Sequence, residues 1–425
     1  MSLAAVRVAL LALLLTLLLG CSARGDEYEM VHFWALGREG EVVTQLIPEF
    51  ERLNPGIRVK VQQIPFTVAH EKLLTAFAGE VAPDVAQLGT SWVPEMVALG
   101  ALEPLDTHIA ASPVVKQADY FPGGWTNNVI GGRTWGVPWY ADTRLLFYRQ
   151  DLLREAGFAK PPRSWAEWVA AMRAIKARAA PRDYAIFLPV NEYEPLLALG
   201  LQQPEPLLRE DGRYGNFRSP GFVRASDFYL SLFREGLAPP LNNTQISNLY
   251  DEFARGHFAF YISGPWNIGE FKRRMPPERQ DDWMTAPLPG PDGPGASIAG
   301  GSALAVFARS ERKAAAWKLV EFLSRPEIQL RFFELTGDLP SRRSVWRAPV
   351  LAGDVYAAAF RDQLERAKPP PQVPEWERLG TQMRIVTERA VAGQLSPAAF
   401  RATLDADADR MLAKRRSLMA PEAGR

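Results

Sequence analysis

Three consecutive strand–helix units near the start of the chain restrict its possible folds more than any other feature. Short runs rich in β-branched and aromatic residues predict strands over residues 29–35, 57–64 and 85–88. Apolar residues at helical spacing follow each run and predict helices over residues 39–53, 67–79 and 91–99. Strands that alternate with helices favour a parallel sheet with right-handed crossovers. The sequence therefore predicts an α/β fold whose ligand binds beyond the carboxyl ends of the strands.

A short apolar run precedes these units and leads to the only cysteine. Residues 8–19 contain only Val, Ala, Leu and Thr; they follow Arg7, and Gly20 precedes Cys21. Such a pattern is typical of an export signal, and the run is shorter than the ~20 residues of a membrane-spanning helix. We predict a lipoprotein signal peptide over residues 1–20 and lipidation of Cys21. The alternative is a buried helix with a free cysteine.

The composition excludes several classes of protein. A chain of 425 residues predicts two or three domains. Because 49 Lys and Arg balance 48 Asp and Glu, the chain lacks the basic field that nucleic-acid binding needs. A single cysteine excludes an internal disulfide and a cysteine-based zinc site, and the four histidines have no metal-ligand spacing. We predict no metal, no cofactor and a monomer.

Motifs of common enzymes are missing from the sequence. The chain lacks G-x-S-x-G, H-E-x-x-H, a phosphate loop and G-x-G-x-x-G. Glu192 and Glu194 would share one face of a strand, where they could pair as the acid and base of a glycoside hydrolase. Surface carboxylates explain the same pair, so we predict no catalytic residues. A periplasmic glycoside-processing enzyme that uses Glu192 or Asp142 remains an alternative.

Aromatic residues gather where predicted strands end or helices begin. These residues are Trp34, Trp92, Trp139, Tyr140, Tyr193 and Trp266. Charged residues accompany them, namely Glu39, Asp142, Glu192 and Arg342. An aromatic ring stacks on the C–H face of a sugar, while charged groups hydrogen-bond its hydroxyls. Core packing explains any one of these rings, but together they predict a binding cleft for a sugar.

Short motifs in a fixed order carry a family resemblance. They include Phe33-Trp34, Ile47-Pro48-Glu49-Phe50-Glu51, Asn54-Pro55-Gly56-Ile57, Leu73-Leu74-Thr75-Ala76-Phe77-Ala78-Gly79, Pro83-Asp84-Val85, Gly136-Val137-Pro138-Trp139-Tyr140 and Gly264-Pro265-Trp266. With this order and spacing, nearly the whole mature chain resembles the extracellular solute-binding proteins of bacterial ABC transporters. That large family carries sugars and includes the maltose-binding proteins.

The resemblance implies a two-lobed periplasmic binding protein fold of type II. Each lobe would be a mainly parallel sheet flanked by helices, with hinge crossovers between the lobes and the ligand in the cleft. We predict a lipidated linker over residues 21–27 and a loose tail over residues 416–425. The first lobe would contain residues 28–139 with 296–338, and the second lobe residues 140–290 with 342–415.

The resemblance also implies a set of ligand-binding residues. On the first lobe these are Trp34, Glu39, Thr90, Ser91, Trp92, Gly300 and Gly301. After the hinge stretch and on the second lobe they are Tyr140, Asp142, Glu192, Tyr193, Trp266, and Arg342 or Arg343. Asp142 matches a sugar-binding acid and Trp266 a stacking aromatic. Relatives often carry an acid after the third strand, where this chain has Gly89-Thr90, a departure that concerns which sugar binds.

We predict a lipid-anchored receptor that faces the periplasm, binds a mono- or oligosaccharide and delivers it to the membrane permease of an ABC importer. Its alternative is a receptor for a non-sugar solute such as glycerol 3-phosphate, a polyol or an amino acid. Arg342 and Arg343 leave a phosphate-containing ligand as an alternative, because arginine pairs well with phosphate. Ser22 is compatible with sorting to the outer membrane, so the sequence leaves open which membrane carries the anchor.

Overall fold

The computed structural model describes residues 28–419. The predicted signal peptide, the lipidation site Cys21 and the linker up to residue 27 lie outside the described residues, as do residues 420–425 of the predicted tail. No helix within the described range is both long and apolar enough to cross a membrane.

Strands and helices alternate along most of the chain. The strands are β1 (Glu29–Leu36), β2 (Ile57–Ile64), β3 (Val85–Gly89), β4 (Val129–Ile130), β5 (Arg133–Thr134), β6 (Val137–Asp142), β7 (Leu145–Arg149), β8 (Ile186–Phe187), β9 (Leu208–Arg209), β10 (Tyr214–Gly215), β11 (Phe260–Ser263), β12 (Trp283–Ala286), β13 (Gly300–Val306) and β14 (Leu339–Pro340). The helices are α1 (Gly37–Leu53), α2 (Phe66–Ala78), α3 (Val93–Ala98), α4 (Asp106–Ala111), α5 (Pro122–Thr126), α6 (Gln150–Glu155), α7 (Trp165–Lys176), α8 (Glu194–Leu201), α9 (Pro220–Arg234), α10 (Leu249–Arg255), α11 (Trp266–Arg274), α12 (Lys313–Leu323), α13 (Pro326–Thr336), α14 (Pro349–Ala352), α15 (Val355–Glu365), α16 (Trp376–Val391), α17 (Pro397–Met411) and α18 (Ala413–Met419).

A six-stranded sheet contains the three N-terminal units. Its strand order is β14-β6-β13-β3-β1-β2, and β1 pairs in parallel with both β2 and β3. The predicted parallel core of three strand–helix units is thus confirmed. The strands β13, β6 and β14 pair antiparallel, because they enter the sheet from later parts of the chain rather than through a single helical crossover.

A second sheet has four strands in the order β12-β7-β11-β8. The pairs β7–β11 and β7–β12 are antiparallel, and β8–β11 is parallel. The mainly parallel sheet predicted here is therefore wrong in detail, although the α/β class holds. Two of its strands, β7 and β12, adjoin the chain segments that pass between the sheets, which frees them from the direction that a strand–helix–strand unit imposes.

Residues 33–36 of β1 are buried on both faces, and alternate residues face different cores. Val31, Phe33 and Ala35 belong to one apolar cluster, whereas Trp34 and Leu36 belong to another on the opposite face. A strand covered on both faces is typical of the centre of a parallel sheet. This arrangement fixes the position of Trp34 inside the core.

The chain passes from the first sheet to the second between β6 and β7. Asp142 ends β6 and Leu145 begins β7, so two residues, Thr143 and Arg144, lie between the strands. The chain returns between β12 and β13 and then reaches β14 at Leu339. A shared apolar cluster, which includes Ala141 and Leu339 of the first sheet and Phe147 of the second, packs beside these passages.

Candidate functional site

A cavity of about 340 Å³ is lined by residues of the six-stranded sheet and its loops, by the passage between the sheets, and by the starts of α8 and α16, which pack on the four-stranded sheet. We call the first wall the residues from the six-stranded side, namely Phe66, Gly89, Thr90, Ser91, Trp92, Gly300 and Gly301. The second wall comprises Arg144, Tyr193, Glu194, Leu197, Trp376 and Glu377. Asp142 and Thr143 join the two walls. The volume is at the small end of the range of about 300–1,000 Å³ that proteins use for small ligands.

Much of the first wall is formed at the ends of two strands, β3 and β13. After β3, residues Thr90–Trp92 form a 3-10 turn, and the Trp92 ring lies so close to Gly89 that a Cβ there would sit 3.1 Å from the ring. At the start of β13, Gly301 has a φ of +111° and its Cβ would lie 2.2 Å from the carbonyl oxygen of Tyr140. Only glycine tolerates that conformation and approach, so the backbone itself forms this part of the wall.

Arg144 connects the passage to the second wall. Its Nη1 donates to both carboxylate oxygens of Asp142, at 3.0 and 2.8 Å, and its Nη2 lies 3.8 Å from a carboxylate oxygen of Glu194. The guanidinium also lies over the ring of Trp266, 4.5 Å from the centroid. The side chains of Asp142 and Arg144 are about four-fifths buried. Arg144 is therefore held in one orientation by three partners.

Helix starts supply the rest of the second wall. Glu194 lies in the first turn of α8, and Trp376 and Glu377 begin α16. Tyr193 packs against Trp376, with ring centroids 6.3 Å apart, and over Gly380, where a Cβ would lie 2.7 Å from the tyrosine ring. The start of α16 also contacts the Thr90–Trp92 turn, so the two walls approach each other across the cavity.

The charge of the lining is acidic. Among the described lining residues, Asp142, Glu194 and Glu377 carry carboxylates and Arg144 carries the single guanidinium. Burial acts to lower the pKa of Arg144, but Asp142 and Glu194 outweigh it, so that pKa lies above its ordinary value. Burial and the neighbouring Glu194 raise the pKa of Glu192, which is not itself a lining residue. The site thus favours neutral or positively charged ligands.

A second group of polar residues lies beside the first wall. The Tyr140 hydroxyl donates to Glu39 at 3.2 Å, and burial together with Glu39 and Asp338 raises the pKa of Tyr140. Burial and the nearby carboxylate of Glu39 raise the pKa of Asp338 from 3.8 to about 7. Tyr140 also lines a small cavity of about 10 Å³ together with Asp142. This volume is close to the room that one water molecule needs.

The structure brings together part of the predicted site. Seven predicted residues line the main cavity, namely Thr90, Ser91, Trp92, Asp142, Tyr193, Gly300 and Gly301. Glu39, Tyr140 and Glu192 lie close by, as described above. Trp34, Trp266, Arg342 and Arg343 lie outside the lining.

The sequence predicts that Trp34 lies at the end of the first strand, beside the loop that follows, but β1 continues to Leu36. The ring therefore lies within the strand, is 8% exposed, and packs in the core beneath Lys72. Trp266 is 49% exposed and lies close against Gly264, but Arg144 covers it. A sugar ring would have to displace the guanidinium to stack on that face.

The two arginines near the last passage have partners elsewhere. The Nε of Arg342 donates to Asp119 at 2.6 Å, its Nη1 donates to the Ser324 carbonyl, and the residue is 6% exposed. The Arg343 Nε donates to Glu365 at 3.0 Å, on the surface. Neither arginine lines the cavity, so neither supplies the guanidinium that a phosphate ligand would need there.

Sequence reasoning missed several lining residues, namely Phe66, Arg144, Glu194, Leu197, Trp376 and Glu377. A signal existed for Arg144, which follows the predicted Asp142 by two residues and therefore lies in the same passage. Nothing in the local pattern around Trp376 indicates that a helix start more than 200 residues away reaches the same cavity. Within residues 28–419, no group of three or more His, Cys, Asp or Glu side chains is arranged to hold a metal ion.

Comparisons with known proteins agree with this architecture. Residues 34–330 match the family model of the bacterial extracellular solute-binding proteins. A structure of the sugar-binding protein MalE from Xanthomonas citri is 53% identical with a TM-score of 0.90, covering 93% of this chain and all of that one. The GacH receptor of Streptomyces glaucescens is 26% identical with a TM-score of 0.75, over 91% and 99% of the two chains.

Curated relatives span the same length. A putative binding protein of Brucella abortus is 26% identical over 96% of this chain and 98% of its own length. A galactooligosaccharide-binding protein of Bacillus subtilis is 22% identical over 88% and 87% of the two chains. The family model covers well over half of the chain, and the two-lobed α/β fold is shared with these structures. The chain belongs to the bacterial extracellular solute-binding protein family.

Proposed function

We propose that this protein is the substrate-binding component of an ABC-type importer and takes a neutral mono- or oligosaccharide into the cavity between its walls. The observation that carries the proposal is the lining itself, in which polar and aromatic groups from the six-stranded side and from the helices that pack on the four-stranded sheet converge on one small space. The MalE relative from Xanthomonas citri is a sugar-binding protein, which supports the same ligand class.

The acidic lining supports a neutral ligand over a phosphate. A phosphate ester would meet three carboxylates and a guanidinium that Asp142 and Glu194 already neutralise. Sugar hydroxyls, in contrast, donate to carboxylates and accept from the arginine without adding charge. We infer that the ligand is bound by Thr90, Ser91, Asp142, Arg144, Tyr193, Glu194 and the backbone at Gly300–Gly301.

Ligand-induced closure is part of the proposal. A ligand shifts a hinge equilibrium only if it binds one state more tightly than the other. A sugar that contacts both walls favours the state in which the walls are close. We propose that the lobes divide near the predicted boundaries, with the first hinge segment at Thr143 and Arg144 and two later passages before β13 and around β14.

Delivery to a permease completes the proposed role. We infer that the protein acts outside the cytoplasmic membrane, that Cys21 carries the lipid anchor, and that the protein catalyses nothing. A tether would raise the local concentration of the receptor near its permease. The raised pKa of Glu192 would suit a general acid, but this residue is not among those that line the cavity, which gives the glycosidase alternative little support.

A thermal-shift screen tests the proposal, because a ligand that binds only the folded protein raises its apparent stability. The panel contains glucose, trehalose, maltose, maltotetraose, glycerol, glycerol 3-phosphate and glutamate. We expect at least one neutral sugar to raise the melting temperature by several degrees and glycerol 3-phosphate to leave it unchanged. A shift with glycerol 3-phosphate alone, or release of reducing sugar from maltotetraose, would overturn the proposal.

A further inference from the structure

Phe66 differs from the other large ring of the first wall in its exposure to solvent. It is the first residue of α2, it lines the cavity, and yet 57% of the residue is exposed. Trp92, the other large ring, is 5% exposed. A lining residue that faces solvent to this extent lies where the cavity opens. Phe66 therefore presents an aromatic surface at the mouth of the cavity.

Its ring is fixed from behind. Phe66 packs on Trp92 with centroids 5.4 Å apart, and His70, one turn later on α2, packs on Trp92 at 5.2 Å. The His70 Nε2 lies 2.8 Å from a carboxylate oxygen of Glu95, which follows the Thr90–Trp92 turn in α3. A ring supported in this way loses little conformational freedom when a ligand covers it.

The position of Phe66 has a matched contrast on the same helix. Val68 is also apolar and 48% exposed, but it lies outside the cavity lining. Scattered exposed apolar residues such as Val68 are ordinary on protein surfaces. Phe66 differs because its exposed surface adjoins a cavity too small to enclose a long sugar chain.

We propose that Phe66 stacks on a sugar unit that projects from the cavity, and that it selects oligosaccharides over single sugars. This inference rests on the proposed function, since it assigns a specificity-determining residue to the same site. The ring offers its face to the C–H side of the projecting unit, while the enclosed unit meets the polar groups described above. A monosaccharide held inside the cavity makes no such contact.

Isothermal titration calorimetry of the wild type, Phe66→Ala, Phe66→Trp and Val68→Ala with glucose, maltose and maltotetraose tests the inference. We expect Phe66→Ala to weaken maltotetraose binding by about tenfold, the equivalent of one aromatic contact. The affinity for glucose should stay within about twofold of the wild type, because a sugar unit enclosed in the cavity does not contact Phe66. Phe66→Trp should retain maltotetraose binding, and Val68→Ala should match the wild type throughout.

Three outcomes separate this inference from the proposed function. If Phe66→Ala binds maltotetraose as tightly as Val68→Ala does, Phe66 has no part in recognition. If the wild type binds glucose or maltose but rejects maltotetraose, the mouth is closed to longer chains and the inference is wrong. If the wild type binds none of these sugars and none of the neutral sugars in the thermal-shift panel, the proposed function fails and this inference fails with it.

Discussion

The first wall presents backbone and uncharged side chains, whereas the second wall and the passage between the sheets carry the charges. Gly89, Thr90, Ser91 and Gly301 represent the first kind of surface, and Arg144, Glu194 and Glu377 the second. Glycine contacts fix the first wall, and ion pairs fix the second. The first wall therefore supplies shape and uncharged polar groups, while the second wall supplies charge, in the form of carboxylate acceptors and one guanidinium donor.

The difference has a structural origin. The first wall forms where strands end, and close packing at Gly89 and Gly301 leaves no room for a side chain at these two positions. The second wall forms at the starts of α8 and α16, whose first turns carry Glu194 and Glu377. A carboxylate is favoured near a helix N-terminus by the free amide groups and the helix dipole. The first wall thus consists partly of backbone at strand ends, and the second wall carries carboxylates that helix N-termini favour.

Gly301→Ala should lower the stability of the protein more than the other substitutions, because it disturbs the backbone that forms the first wall. A Cβ at this position would meet the Tyr140 carbonyl oxygen at 2.2 Å and impose a φ of +111° on alanine. We expect the free energy of unfolding to fall by about 4 kcal/mol in urea titrations. The control is Gly293→Ala, at an open position, which should change it by less than about 0.5 kcal/mol. If both substitutions changed the free energy of unfolding equally, the first wall would not depend on a glycine at position 301.

Arg144→Ala tests the second wall, because it removes the guanidinium that pairs with the carboxylates of Asp142 and Glu194. The substitution leaves the largely buried carboxylates of Asp142 and Glu194 without this countercharge, so the free energy of unfolding should fall by about 3 kcal/mol. Sugar binding should be lost as well. Arg173→Ala breaks an exposed pair with Glu235 and should cost about 0.5 kcal/mol in the same urea titrations. A mild effect at Arg144 would show that ion pairing does not hold this wall.

Asp338→Asn tests the carboxyl group beside the first wall. Between pH 3.8 and about pH 7, the folded protein keeps a proton on Asp338 that the unfolded chain releases, because folding raises the pKa of this carboxyl from 3.8 to about 7. Its contribution to stability is present at low pH and is lost as the pH rises through this window. The asparagine variant should be more stable than the wild type by about 2 kcal/mol at pH 8 and show a flatter pH dependence.

Urea titrations at pH 5 and pH 8 measure this difference. Since Asp338 lies outside the cavity lining, the variant should bind sugar as the wild type does. A loss of stability at both pH values would mean that Asp338 is ionised and paired in the folded protein.

Trp266→Ala should have the smallest effect of the four. The ring orients the guanidinium of Arg144 rather than lining the cavity, so affinity for a bound sugar should fall by about fivefold, the worth of one cation–π contact. Trp266→Phe should keep part of that contact. Calorimetric titration of both variants gives the comparison. A loss of 100-fold or more would restore Trp266 to the role of a stacking residue that the resemblance implies.

Much of the fold is predictable because it depends on local patterns. The alternation of strands and helices over β1 to α3 predicts the parallel core, and α7 begins at a local capping box in which Ser164 and Glu167 bond each other's backbone amides. Other features depend on tertiary contacts. A proline inside a helix usually kinks or ends it, but α1 is one helix through Pro48, with buried Leu46, Ile47 and Phe50 on both sides of the proline.

The candidate site is predictable where it lies at strand ends. Thr90, Ser91, Gly300 and Asp142 follow from that rule or from the resemblance. Trp34 lies away from the lining because it sits within β1, and the strand directs its ring into the apolar cluster on one face of the sheet. Arg342 lies away from it because Asp119, more than 200 residues earlier, binds its guanidinium. Such long-range pairs leave no periodicity that a single sequence reveals.

The proposed function depends above all on a cavity that accepts a neutral sugar and rejects an anion of similar size. Calorimetric titration of the wild type with glucose, trehalose and maltose, compared with glucose 6-phosphate and glycerol 3-phosphate, tests this selectivity most directly. We predict one-to-one binding of at least one neutral sugar and no binding of either phosphate at millimolar concentration. Binding of a phosphate, with no heat from any neutral sugar, would contradict the proposed function.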